Sequence, residues 1–318
     1  MGVISSFLGI GGAWLVTPAL NLLGMPMPYA IGTDITHVAG KSLFAIRHHI
    51  KLQNVDYKLA LMMVVGTLLG IEGGAQLIMR LEKQFMVDAV VTYSYIGLLA
   101  GIFLVMLFDL IARNKDKARN RNDKNSLHQE PSQKKGLKII EKIQNFKLSP
   151  MIYFPRANVT RSFWLVFSIS LVSGFAAGFL GIGGGLIRFF ALVYLIGCPP
   201  VIAVGTDLFE VVISGIYGAF TYSMKGRVDW ISVLIMLCGA FAGTKIGALT
   251  TSFVHEKKIR FAFMLAVLGC LISVSLKALS YKKVSLVMIF MIVGFLALYI
   301  LMSFLKGKRA CQKQEKTI

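Results

Sequence analysis

Nine apolar stretches, most of them long enough to cross a bilayer, follow one another along this chain, with short polar links between them except for one long basic stretch after the fourth. A span needs roughly 20 apolar residues. The stretches are Gly2 to Leu23, Ile31 to Ile50, Leu59 to Met79, Phe85 to Ala112, Phe163 to Gly197, Ala203 to Met224, Trp230 to Phe253, Phe261 to Leu279 and Val284 to Leu305. In hydrocarbon every backbone N–H and C=O must find its partner inside the protein, and a helix does this within one segment. The expected fold class is therefore an all-α integral membrane protein with about 8–9 transmembrane helices, multi-pass in the plasma membrane. Composition agrees. Only 15% of residues are charged, against about 25% in soluble domains, and mean hydropathy is +0.69.

The net charge of +19 is placed in a way that argues for a membrane partner and against nucleic acid. Much of the excess lies between Arg113 and Arg161 and in the tail from Lys306 to Lys316, beside apolar spans. The positive-inside rule puts such a loop in the cytoplasm, and no groove-reading motif accompanies the charge. This polar loop reads as solvated, with some helix around Leu137 to Phe146. Cys198, Cys238, Cys270 and Cys311 are scattered without metal-ligand spacing, so no metal site, disulfide framework or cofactor is expected. The sequon at Asn158 falls at the end of the basic loop and carries no weight.

An internal repeat organises the spans. Phe7-Leu8-Gly9-Ile10-Gly11-Gly12 recurs as Phe179-Leu180-Gly181-Ile182-Gly183-Gly184. After one inserted residue, Ala30-Ile31-Gly32-Thr33-Asp34 matches Ala203-Val204-Gly205-Thr206-Asp207, and Val55-Asp56 matches Val228-Asp229. Gly66, Gly70 and Gly74 match Gly239, Gly243 and Gly247. Two structural copies follow, as in many secondary transporters. The division is residues 1–112 for the first membrane repeat, 113–160 for the basic cytoplasmic loop, 161–282 for the second repeat, and 283–318 for an extra helix and basic tail. Only six residues precede the first glycine motif, against about sixteen apolar ones before the second. That favours a start codon recorded too late.

The glycine motifs carry the chemistry. Gly181, Gly183, Gly184 and Gly185 interrupt a run otherwise long enough to cross the membrane, and each glycine disfavours helix by about 1 kcal/mol relative to alanine. Irregular backbone at that depth needs cover from protein or a watery cavity. A broken helix also frees N–H groups that suit an anion. A close helix crossing is the alternative. Recurrence at Gly9, Gly11 and Gly12 favours glycine-broken helices at the pseudo-symmetry interface. Thr33 and Thr206 could donate hydroxyls to the same oxyanion. Asp34 and Asp207 read either as helix-start caps or as groups that couple protons or cations. His37 shares a helix face with Asp34 and Lys41 and is expected to be satisfied by Asp34; Asp207, Glu210 and Ser214 match these three. Glu72 and Lys245, at equivalent sites of opposite charge, are expected as a structural ion pair. Arg188 either draws an anion or snorkels to the interface. The glycine faces Gly66 to Gly74 and Gly239 to Gly247 read as packing surfaces.

With these motifs together, the chain resembles the TauE/SafE family of sulfite and organosulfonate exporters, also called toluene sulfonate uptake permeases. The resemblance covers most of both halves, without the central loop and the last span. It implies a secondary transporter of small sulfur-containing anions such as sulfite, sulfoacetate or thiosulfate, with its sites at Gly9 to Gly12, Gly181 to Gly185, Gly32-Thr33 and Gly205-Thr206. Ala13 replaces the last glycine of the first motif, which weakens that half-site.

The loop charges favour inverted over parallel repeats if Phe163 to Gly197 breaks into two membrane elements. The reading is an alternating-access permease for a small anion held at the glycine breaks, with Asp34, His37 or Asp207 coupling an ion. No enzyme is expected, since no nucleophile, base and orienting group are arranged together. A channel and a cation or metal-ion transporter using Asp34 and Asp207 stay open, and so does a homodimer.

Overall fold

The computed structural model describes residues 13–122, 148–251 and 256–315. The first glycine motif, with Gly9, Gly11 and Gly12, lies outside the described residues, as does the expected helix around Leu137 to Phe146. The first half consists of α1 (Ala13–Leu22), α2 (Met27–Lys51), α3 (Tyr57–Lys83) and α4 (Val87–Asn122). After a hairpin, β1 (Met151–Phe154) and β2 (Val159–Ser162), come α5 (Phe163–Leu180) and α6 (Gly185–Phe190), which continues as a π-helical turn over Ala191–Ile196. The chain then forms α7 (Pro200–Met224), α8 (Trp230–Thr251), α9 (Glu256–Ala278) and α10 (Lys282–Glu315). Five of the described helices are long and apolar enough to cross a membrane, and shorter apolar helices stand beside them.

Two expectations need correction. The polar stretch from Arg113 does not begin as loop, because α4 runs on to Asn122. Its last part is not loop either: Met151 to Ser162 pair as an antiparallel hairpin, so the described residues are helical with one small β element. The hairpin packs Phe154 and Ala157 into a buried apolar cluster with Cys198, Ala203, Leu192 and Ile196.

Helix bounds follow the register of the sequence repeat. Met27 to Pro200 and Tyr57 to Trp230 are both a shift of 173 residues, and α2 and α7 are each 25 residues long. These equivalent helices pack side by side and run antiparallel. Gly218 lies against Ile35, Gly215 against Ala39, Val211 with Val38, and Leu208 with Ile46. By contrast α3 and α5 run parallel and almost backbone to backbone. A Cβ on Gly66 would sit 2.8 Å from the Phe167 carbonyl oxygen, one on Gly70 2.4 Å from that of Leu171, and one on Gly74 2.6 Å from that of Phe175. Gly174 and Gly178 face the carbonyls of Thr67 and Ile71 in return. Small residues let the two backbones approach where lipid gives no hydrophobic reason to associate.

The long apolar run Phe163 to Gly197 is broken as its glycines suggest. Gly181, Gly183 and Gly184 adopt φ of 74°, 66° and 68°, the left-handed region that only glycine enters without strain. The chain therefore ends α5 and restarts as α6 within four residues. The largest core cluster surrounds this break, with Trp14, Ile31, Tyr95, Phe179, Leu180, Leu186 and Tyr222 among its buried members.

Candidate functional site

Breaking a helix inside an apolar core leaves carbonyls without their intrahelical partners, and each must be satisfied. Three hydroxyls from three other helices do this at the end of α5. Tyr222 of α7 donates to the Gly178 carbonyl, Tyr95 of α4 to that of Leu180 (2.8 Å), and Thr17 of α1 to that of Gly181 (3.2 Å). All three side chains are buried. No sequence pattern announced them, since each comes from a different element. Their only signal is a polar atom in an otherwise apolar span.

The single Thr17 proton is shared with Asp34 Oδ2 at 2.8 Å, which ties the break to the ionisable face of α2. Asp34 and Asp207 are not helix-start caps. Each lies eight residues into its helix and is buried, at 0% and 2% exposure. Because α2 and α7 are antiparallel, the two carboxylates lie on the order of 20 Å apart along the shared axis, at 1.5 Å per residue. His37 Nδ1 stands 3.4 Å from Asp34 Oδ1, and Lys41, one turn further on, is buried within electrostatic reach of Asp34.

The second copy is built differently. Arg188, fully buried on α6, neither snorkels nor stands open to an anion: its Nε lies 3.3 Å from Asp207 Oδ1, and Nη1 contacts Glu210 Oε2. Ser214 donates to the same Glu210 oxygen at 3.2 Å. Gly184 makes room for this guanidinium, since a Cβ there would lie 2.3 Å from Arg188 Nη2. Thus one glycine of the break is required both by its backbone angle and by a cation.

Thr33 and Thr206 have partners that the sequence reading did not foresee. The Thr33 hydroxyl oxygen accepts from the backbone N–H of Asp229 (2.9 Å), and that of Thr206 accepts from Asp56 (3.0 Å). Threonines and aspartates are both repeat equivalents, so each half grips the turn of the other. The neighbouring glycines serve the same contact. A Cβ on Gly32 would lie 2.1 Å from the Arg227 carbonyl oxygen, and one on Gly205 2.1 Å from that of Asn54. The Gly-Thr-Asp motif is therefore a clasp between halves, with its aspartate facing inward.

Glu72 takes Lys225 as its cation (3.2 Å), helped by Thr221 and Gln76. These partners come from α3 itself, α7 and the turn after it; the side chain of Lys245, the partner expected for Glu72, lies outside the described residues. Beside the Thr33–Asp229 clasp an open pocket of about 400 Å³ is lined by Met25, Pro26, Tyr29, Val228 and Asp229.

A buried array of this kind, with ionic side chains facing a helix break inside an apolar bundle, is a transport pathway more readily than a catalytic centre. Comparison with known proteins agrees. The family model described as sulfite exporter TauE/SafE matches residues 1–276. A probable membrane transporter protein of Bacillus subtilis strain 168, YunE, is 28% identical over 279 residues, covering 85% of this chain and 92% of the relative. A probable membrane transporter protein of Xylella fastidiosa strain 9a5c is 25% identical over 262 residues, covering 81% and 84%. No solved structure is a significant match. Because the match runs through both halves and stops only at the final helix, the chain belongs to the TauE/SafE sulfite exporter family and is a membrane transporter, not an enzyme.

Proposed function

We propose that the protein is a secondary permease that carries small sulfur-containing anions, such as sulfite, thiosulfate or organosulfonates, by alternating access. The observation that carries this reading is the break at Gly181 to Gly185, enclosed by the core, with the buried Arg188 three residues beyond it. A guanidinium matches a planar or tetrahedral oxyanion with paired donors, and the freed N–H groups of the break add to it. Gly9, Gly11 and Gly12 would supply the second half-site. The antiparallel course of α2 and α7 supports inverted repeats, each crossing in the opposite sense and rocking about the shared interface. Thr33 and Thr206 enter as the clasps that hold the halves together, and Asp34, His37 and Asp207 as groups that couple an ion. The basic loop would then lie in the cytoplasm of a plasma-membrane protein.

One observation favours a second reading. Two carboxylates share Arg188, so the second-half cluster carries an excess negative charge that a cation cargo would neutralise. A thermal-shift panel on detergent-purified protein separates the two. Sulfite, thiosulfate or sulfoacetate should raise Tm, while sulfate and chloride leave it unchanged. A rise with divalent cations and none with the sulfur anions would replace the first reading by the second.

A further inference from the structure

The buried charges of α2, α6 and α7 do not balance. Asp34, Asp207 and Glu210 are three buried carboxylates, and Lys41 and Arg188 are the buried cations beside them, with His37 between Asp34 and Lys41 on α2. At the places equivalent to Asp34, His37 and Lys41, α7 has Asp207, Glu210 and Ser214, and among the described residues the cation in contact with both carboxylates is Arg188. Two carboxylates therefore meet one guanidinium, and one negative charge is left over in a site with no exposure above 2%. Among the described residues, α2 faces this stretch of α7 with His37 and Lys41, already counted, Glu72 of α3 is occupied by Lys225 at the far end of α7, and the π-helical turn carries only Tyr194 as a titratable group.

Glu210 is the member that a serine also holds. Its Oε2 meets Arg188 and accepts from Ser214, while its Oε1, like Asp207 Oδ1, is buried with no hydrogen-bond partner. A buried carboxylate with an empty lone-pair side and a shared counter-ion is costly in a low dielectric. One proton removes the excess charge and leaves the Ser214 contact in place. A metal ion is a poorer fit, since hard cations take six or more oxygen ligands and here a guanidinium already occupies the space between the two carboxylates.

Resting on the anion-permease reading, we propose that Arg188 changes partners during transport, leaving Glu210 for the substrate oxyanion while Glu210 takes up one proton. The proton comes from water on the side where the anion enters and bonds to a Glu210 carboxylate oxygen. The guanidinium, still beside Asp207, then offers its Nη donors to the anion. Release of the anion on the other side returns Arg188 to Glu210, and the proton leaves with it. Anion and proton thus move together in a ratio of one to one. This also explains how a pocket with excess negative charge admits an anion at all.

The test uses the full chain in proteoliposomes containing a trapped pH dye, with labelled thiosulfate as the probe. Wild-type protein should show thiosulfate counterflow, proton entry driven by an inward thiosulfate gradient, and an apparent affinity that falls about tenfold per pH unit above the titration point. Glu210→Gln should lose substrate-driven proton entry and show exchange that no longer varies with pH. Glu210→Asp should restore both in part. Proton entry in Glu210→Gln equal to wild type overturns the proposal. Should wild-type protein show no counterflow with thiosulfate, sulfite or sulfoacetate, the substrate reading fails, and a separate measurement still decides Glu210. The pH-difference infrared spectrum should contain the C=O band of a buried protonated carboxyl that disappears in Glu210→Gln. The same band undiminished in that variant overturns the proposal.

Discussion

The two clasps between the halves share one chemistry and differ in what surrounds them. At one, Thr33 holds Asp229, and the pocket of Met25, Pro26, Tyr29 and Val228 opens beside it. At the other, Thr206 holds Asp56, and two repeat equivalents of that lining, Cys198 and Ile202, pack with Phe154 and Ala157 of the β-hairpin. Asp56 shows the difference in full. It caps α3 through the N–H of Leu59, as its equivalent caps α8 through Ile231, and it also accepts from the N–H groups of Arg156 and Ala157 in the hairpin turn. Arg161 anchors the hairpin further by donating to the Ile196 carbonyl at 2.7 Å, and burial pushes its guanidinium below its usual range. One clasp thus has the hairpin packed beside it, and the other has an open pocket.

The largest expected effect concerns what the ends share. Gly32→Ala and Gly205→Ala each drive a methyl into a backbone carbonyl of the opposite half, which has no side-chain freedom to yield. Each should lower stability by about 3 kcal/mol, read from thermal unfolding in detergent. A tolerant glycine at either end would mean that the clasps are not equivalent. Next, Asp56→Ala should cost about 3 kcal/mol, because three N–H groups, two of them buried, lose their acceptor, while Asp229→Ala should cost about 1 kcal/mol as an ordinary cap. Equal losses would remove the hairpin from the comparison.

Accessibility sharpens the contrast further. In a background without Cys238 and Cys311, Met25→Cys should react with a soluble maleimide at least about tenfold faster than the native Cys198, its buried equivalent. Similar rates would show that the hairpin does not cover its side. The smallest effect is one of pH. A hydrogen bond from the Ser232 hydroxyl holds the Asp229 carboxyl below its usual range. A depressed folded pKa contributes stability that is fully present above the unfolded value, about 3.9, and is lost as pH falls through the folded one. Wild-type protein should therefore lose a little more stability than Asp229→Asn on acidification below about pH 4. Parallel acid profiles for the two proteins would count against this cap.

Much of the frame was legible because it depends on local chemistry. The apolar runs, the shift of 173 residues and the break at Gly181 to Gly185 could be read from residue type and spacing, and so could the Asp34–His37 neighbours, three residues apart on one helix. The hairpin could not, because its pattern is polar and it forms only where Phe154 and Ala157 find the apolar cluster around Cys198. The partners of Arg188 are 19 and 22 residues away in sequence and on another helix, and the role of the Gly-Thr pairs depended on a turn from the opposite half.

The sequence by itself determined that this chain lives in a membrane, that its motifs recur in one register and where one of its helices must stop, because hydropathy, residue spacing and glycine's backbone freedom are read directly along the chain. The tertiary structure decided which charge meets which, which hydroxyl closes each freed carbonyl and which end is covered. Those are contacts between distant segments, fixed by how antiparallel helices align, and no window of the sequence contains both partners.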